Sequence, residues 1–290
     1  MKSLSFFVLV LFACISSLAA AETGPRPDAI VDWKSNKIYL RAEWVLNRRN
    51  AERATGDLRA EMRSVLITKL SAVVDTLWRR AAESSAEAAA PPVPDLASYW
   101  SGLKLNTFQV AENRVSATME VTLRGQNSLL AHLPALAGKE DWRSDDTAVN
   151  VAYERRADMK EYDASETEPL LYSGLVVDAR HLNFIPSLTT GIYTSSGKQL
   201  YGPVFLNRAT LVKRGVAGFF TNEGQSDARQ RAGNRPLKVP ALDVARQGEN
   251  ALVISDEDAA KILAHDGSVK NLKRARVVIL IAPDKLREKY

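Results

Sequence analysis

Three histidines, one cysteine and a few acid-rich or glycine-rich stretches are the residues of this chain whose types and spacing could do chemistry. His132, His181 and His265 are dispersed, with no His-x-x-x-His spacing and no cysteine beside them, so a zinc site has little support. Asp178, Arg180 and His181 stand together at the end of an apolar run, where strands deliver side chains to sites, and they are the candidate binding residues. The competing reading makes Asp178 and Arg180 a charged pair that caps the strand and ties down the next loop.

Two other stretches invite a functional reading. Residues 191–198 (Gly-Ile-Tyr-Thr-Ser-Ser-Gly-Lys) resemble a phosphate-binding loop, but one residue too many separates the glycines. Gln199 also stands where a magnesium-binding hydroxyl belongs, and a hairpin turn is expected instead. Asp256-Glu257-Asp258 lack the alternating spacing of a calcium loop and suit the first turn of a helix, with Ser255 as its N-cap. No Gly-x-Ser-x-Gly elbow is present, so a hydrolase would need a scattered triad built on His181 or His265. The sequence assigns no catalytic residue, no metal ligand and no cofactor.

Such side chains must be positioned outside the cytoplasm if the N-terminus is read correctly. Met1-Lys2 precede an almost unbroken apolar run over residues 4–15, and Ala19-Ala20-Ala21 then supply an Ala-x-Ala pattern. That is a signal peptide over residues 1–21, because small side chains fit the peptidase pockets. The run is short for a membrane-spanning helix, which takes about 20 residues; a retained anchor is the alternative. Leu11-Phe12-Ala13-Cys14 offers another reading, a lipobox whose Cys14 is acylated to give an outer-membrane lipoprotein. The expected location is periplasmic or exported.

Cleavage after Ala21 removes the one cysteine, so the mature chain would hold neither disulfide nor thiol nucleophile. The formal charge of +5 becomes +4 without Lys2, with 38 basic against 34 acidic residues. The basic excess lies in residues 208–238 and 270–289. It offers a patch for anionic lipid or an acidic wall polymer, set against the reading of a solvated surface. Nucleic acid is not expected, since no binding motif accompanies the charge.

Residues 30–33 and 38–46 form an expected hairpin around Ser35-Asn36. A long helix follows over residues 48–82, with Leu58, Met62, Val65, Leu66, Leu70, Val73, Val74 and Leu77 as its apolar stripe. The Ala- and Pro-rich stretch over residues 84–94 ends it. A second hairpin over residues 107–123 turns at Glu112-Asn113. The expected fold is therefore α+β: a strand-strand-long helix-strand-strand module over residues 22–135, a linker with a peripheral strand over 136–168, and a mixed-sheet α/β module over 169–290. In the last, strands are expected within 170–179, 191–201, 215–221, 237–245, 251–254 and 276–282, with a helix after Ser255.

The opening strand with Trp33 and its following helix form one stretch that carries a resemblance. The other is Tyr172-Ser173-Gly174-Leu175-Val176-Val177-Asp178-Ala179-Arg180, followed by Pro186-Ser187-Leu188, residues 197–202 and residues 250–255. Together these are similar to a poorly characterised group of bacterial exported proteins resembling LPP20-like lipoproteins and the N-terminal part of the flagellar assembly protein FlgT. His181 departs from the group, which often has glycine there. The resemblance implies a non-enzymatic envelope protein with envelope protein partners, associated with a surface or motility assembly. A binding module for a small ligand, lipid or wall polymer is the second reading, and a scattered-site hydrolase the third. Protein recovered from expressing cells should begin at Glu22 by N-terminal mass spectrometry; a diacylglycerol-modified Cys14 would reverse that expectation.

Overall fold

The computed structural model describes residues 24–47, 51–83, 94–133, 170–245 and 250–290. The expected signal peptide, Cys14 and the linker over residues 136–168 lie outside the described residues.

The first hairpin joins β1 (Arg26–Asp32) to β2 (Lys37–Val45). Asp32 Oδ1 accepts from the amides of Lys34 and Ser35 at 3.0 Å each, and Asn36 takes φ 57°, a left-handed conformation that Asn tolerates. The second joins β3 (Thr107–Ala111) to β4 (Arg114–Thr122). Alternate residues Ile38, Leu40, Ala42 and Trp44 of β2, and Val115, Ala117, Met119 and Val121 of β4, are buried on one face, as a period of two requires.

Against that face lies α1 (Thr55–Glu83), 29 residues long. Its buried stripe contains every expected residue except Val65, which is half-buried, and adds Trp78 and Ala81. The stripe's three- and four-residue spacing places these side chains on one side of the helix.

The second region separates into two four-stranded sheets where the sequence suggested a single mixed one. β5 (Leu175–Asp178), β8 (Gly218–Phe220), β9 (Leu237–Pro240) and β12 (Val277–Leu280) form an all-parallel sheet in the order β8-β12-β5-β9. β6 (Gly191–Thr194), β7 (Gln199–Tyr201), β10 (Asp243–Val244) and β11 (Ala251–Ile254) form the other, in the order β10-β11-β6-β7, where only β6 and β11 run parallel. β5, β8 and β12 are buried on both faces, so they read as continuous apolar runs, while the edge strand β9 alternates buried with exposed residues. Val176, Phe220, Val278 and Leu280 face Ala228 and Ala232 of a helix on one side, while Leu175, Val177, Val277 and Ile279 join the main core on the other.

Short helices complete the fold: α2 (Ala97–Gly102), α3 (Leu129–His132), α4 (Arg208–Arg214), α5 (Ser226–Ala232), α6 (Asp256–Leu263) and α7 (Asp266–Lys273). The helix expected after Ser255 is thus two, broken where His265 caps the second. Ser255 does cap α6, its hydroxyl accepting from the Asp258 amide at 3.0 Å.

One strand has no counterpart in the sequence reading. β13 (Arg287–Lys289) leaves the second region and pairs antiparallel with β1, so the first sheet runs β13-β1-β2-β4-β3. Arg80 near the end of α1 grips Glu288 of β13 with two donors, at 2.6 and 2.9 Å, and reaches the Tyr290 hydroxyl at 3.3 Å. The same helix end meets the second region directly: Thr189 Oγ1 donates to Ala81 O at 3.1 Å and Asn250 Nδ2 to Arg80 O at 2.7 Å. The second region thus donates to two carbonyls in the last turn of the helix. One hydrophobic core runs through both regions, with Trp33 of the first meeting Phe219 of β8 edge to face at 5.7 Å.

Burial works against the Glu288 carboxylate, but the Arg80 guanidinium outweighs it and holds the carboxyl below the ordinary 4.5. A depressed acid contributes stability above its unfolded value and loses it as pH falls through its folded value. Glu288→Gln should therefore lower stability by about 1–2 kcal/mol at neutral pH, in line with a charge-assisted pair. In urea melts the gap from the unsubstituted protein should close as pH drops below 4.5.

Candidate functional site

Asp178 closes β5, and Ala179 and Arg180 begin the loop beyond it. The Ala179 amide donates to Leu280 O and the Ala241 amide to Asp178 O, each at 2.9 Å, which pins the loop to the parallel sheet. Asp178 Oδ1 accepts from Arg180 Nε at 2.8 Å and from the Arg180 amide at 3.2 Å, while Oδ2 takes Arg180 Nη2. Arg180 holds the Asp178 carboxyl below its ordinary range against a small opposing effect of burial. His181 is exposed beside them.

The three sequence candidates thus share one strand end, but as a solvated pair with a neighbouring imidazole. A second exposed pair joins Lys238 of β9 to Glu223, which follows the carboxyl end of β8, at 2.8 Å. Exposed pairs of this kind contribute little to stability and orient no buried group.

The rest of the phrase around Asp178 has a packing explanation. A Cβ on Gly174 would stand 2.5 Å from both Ala232 O and Arg276 O, so only glycine lets β5 enter between α5 and β12. Ser173 stitches the same junction: its Oγ donates to Ala232 O at 2.8 Å and accepts from the Arg235 amide at 2.9 Å. Tyr172 is held through its backbone, with its amide on Ser268 Oγ and its carbonyl on Asn271 Nδ2, both at 2.9 Å.

The other reactive groups are engaged in the same way. Residues 191–198 form the β6–β7 hairpin, turning at Gly197 with φ 83°. Asp256 accepts from Ser195 Oγ and Ser196 Oγ at 2.6 Å each, and those two hydroxyls keep its carboxyl below the ordinary range. Asp258 bonds Ser255 and Lys261, and Glu257 also pairs with Lys261. His265 Nδ1 accepts from the Gly267 amide at 2.9 Å at the start of α7. His132 stacks on Tyr99 with ring centroids 4.2 Å apart, and burial pushes the Tyr99 phenol up to about 12. Among the described residues no group of three or more His, Cys, Asp or Glu side chains could hold a metal ion, and no helix is long and apolar enough to cross a membrane.

The sequence reading missed one constellation. Arg124, Arg214 and Arg231 gather at the C-terminal end of α4, where Arg124 Nη1 and Arg231 Nη1 donate to the same carbonyl, Arg214 O, at 2.7 and 2.6 Å. Arg231 is buried; its remaining bonds run to Val277 O at 2.7 Å, Gly215 O at 3.0 Å and Val216 O at 3.1 Å. Burial pushes its pKa down to about 9, and the carbonyl cage favours the charged form. Arg276 stands at the foot of β12 beside the same helix end, its Nη1 3.4 Å from Ser173 O. The signal in the sequence was the pair of basic stretches, which this fold brings together.

Comparison with protein families finds that residues 174–284 are similar to the second domain of Treponema pallidum Tp0624. The match takes in β5 through β12 and stops before β13, covering 111 of the 290 residues. No curated protein matches the chain.

Gly174, the first matched residue, is therefore a demanding position, and Asp178 a permissive one. Gly174→Ala should cost about 1–3 kcal/mol by overpacking two backbone carbonyls. Asp178→Asn should leave the melting temperature essentially unchanged, because its pair with Arg180 is solvated. Thermal unfolding of the two variants beside the unsubstituted protein checks both.

Proposed function

We propose that this chain is an exported bacterial cell-envelope protein with a structural or interaction role rather than a catalytic one. The observation that carries the reading is the employment of its reactive side chains. Asp256 holds a hairpin turn, His265 caps a helix, and Asp178 and Arg180 satisfy each other in solvent. An active site needs such groups converging on a substrate with donors and acceptors to spare.

Two further features favour this reading. The likeness of residues 174–284 to a domain described as the second of a larger protein suits a module that works beside other modules. The finer resemblance of the Trp33 and Gly174–Arg180 stretches to LPP20-like lipoproteins and to the N-terminal part of FlgT points towards a surface or motility assembly. Export with cleavage after Ala21 fits both; lipidation at Cys14 is the alternative route to the same compartment.

In-cell crosslinking of the tagged full-length protein tests the proposal. One envelope assembly should be captured reproducibly, and an Asp178→Asn/His181→Ala variant should capture the same set. Capture of nothing from an abundant, exported protein would overturn the interaction reading.

A further inference from the structure

The two basic stretches meet at the amino ends of the parallel strands, on the side of the sheet opposite Asp178. Arg214 and Arg231 come from the first stretch, Arg276 from the second, and Arg124 from the loop after β4. Arg231 spends four of its donors on carbonyls 214, 215, 216 and 277, which hold α5 against β12 and the foot of β8. It is a structural member of the group.

The other three are half-buried and far from saturated. A guanidinium carries five N–H donors. Among the described residues Arg124 uses one, to Arg214 O at 2.7 Å, and Arg276 one, to Ser173 O at 3.4 Å. Arg214 reaches Arg231 O at 3.5 Å, while its Nε is buried with no partner at all. No carboxylate of the described residues bonds any of them. The carbonyls at a helix C-terminus offset roughly half an elementary charge, which leaves most of four cationic charges uncompensated. Mutual repulsion is felt: burial and then the charge of Arg276 lower the Arg214 pKa against Tyr201, and burial and then Arg214 lower that of Arg124 against the exposed Asp227.

We infer that Arg124, Arg214 and Arg276 form a binding site for a phosphate-class oxyanion. The fork geometry of guanidinium matches phosphate oxygens, and a bound dianion would satisfy the open donors while relieving the repulsion. The phosphate is carried either free in solution or on a phospholipid headgroup. This inference stands apart from the interaction reading: crosslinking does not report on it, and the test below needs no partner protein.

Melting the protein in millimolar inorganic phosphate and in sodium chloride of equal ionic strength reads the site. Phosphate should raise the melting temperature, and titration should show saturation. Arg276→Gln separates an anion site from a structural arginine. In chloride it should melt at or above the unsubstituted protein, because one repelling charge is gone; in phosphate it should melt below. The apparent phosphate affinity should fall about tenfold, the value of one charge-assisted contact. Arg124→Gln repeats the test through a second donor.

Co-sedimentation with phosphatidylglycerol vesicles, against phosphatidylcholine, assigns the source: binding lost in Arg276→Gln indicates a headgroup, and a phosphate shift without vesicle binding indicates a free anion. Two results would overturn the inference: no phosphate shift together with no vesicle binding, or an Arg276→Gln variant that loses stability equally in both salts.

Discussion

Arg231 is a positive charge taken out of water that no carboxylate of the described residues bonds, and the second region is arranged around keeping it there. Removing such a charge from water costs several kcal/mol even after relaxation. The offset comes from carbonyls 214, 215 and 216 at the end of α4 and carbonyl 277 at the start of β12. These lie at two separate elements, so the guanidinium, carried on α5, works as a buried tie between them. The neighbours are shaped to admit it. Val216 O also takes the buried Tyr201 hydroxyl at 2.7 Å, and Gly218 must be small because a Cβ there would stand 2.8 Å from Arg231 Cδ. Gly174 answers the same crowding one strand away, since Ala232, the residue after Arg231, presses on it through its carbonyl.

How much of this could be read in the sequence depends on element length. β2, β4 and α1 are long enough for periods of two and 3.6 to declare themselves, and the apolar stripe expected for α1 matches the structure almost residue for residue. The strands of the second region are two to four residues long, and β5, β8 and β12 are buried on both sides, so they show position without pairing; nothing local divides them into two sheets. Helices α4 and α5, seven residues each, are too short for an amphipathic pattern and lay hidden in a stretch read only for its charge. β13 escaped because Arg-Glu-Lys has no apolar alternation; its place comes from backbone pairing with β1 and from Arg80.

The candidate site was legible in the same uneven way. Asp178, Arg180 and His181 are neighbours in sequence, so their meeting at one strand end needed no tertiary knowledge. The arginine group draws on four separated segments, and only the crossover order β8-β12-β5-β9 brings Arg276 beside the end of α5. Local reading found the solvated pair and missed the crowded charges.

The pairing of β13 with β1 joins residues at least 255 positions apart along the chain, Asp32 with Arg287 being the least separated pair. A chain emerging from its amino end, whether from a ribosome or through a secretion pore, presents β1 long before β13 exists. Until then the long strand β1 is itself an edge of the first sheet, a row of N–H and C=O groups able to recruit foreign strands. β13 thus acts as a clasp that reaches this border only after the second region has been made. The order of events along the chain is thereby written into the architecture: the module that begins first is completed last.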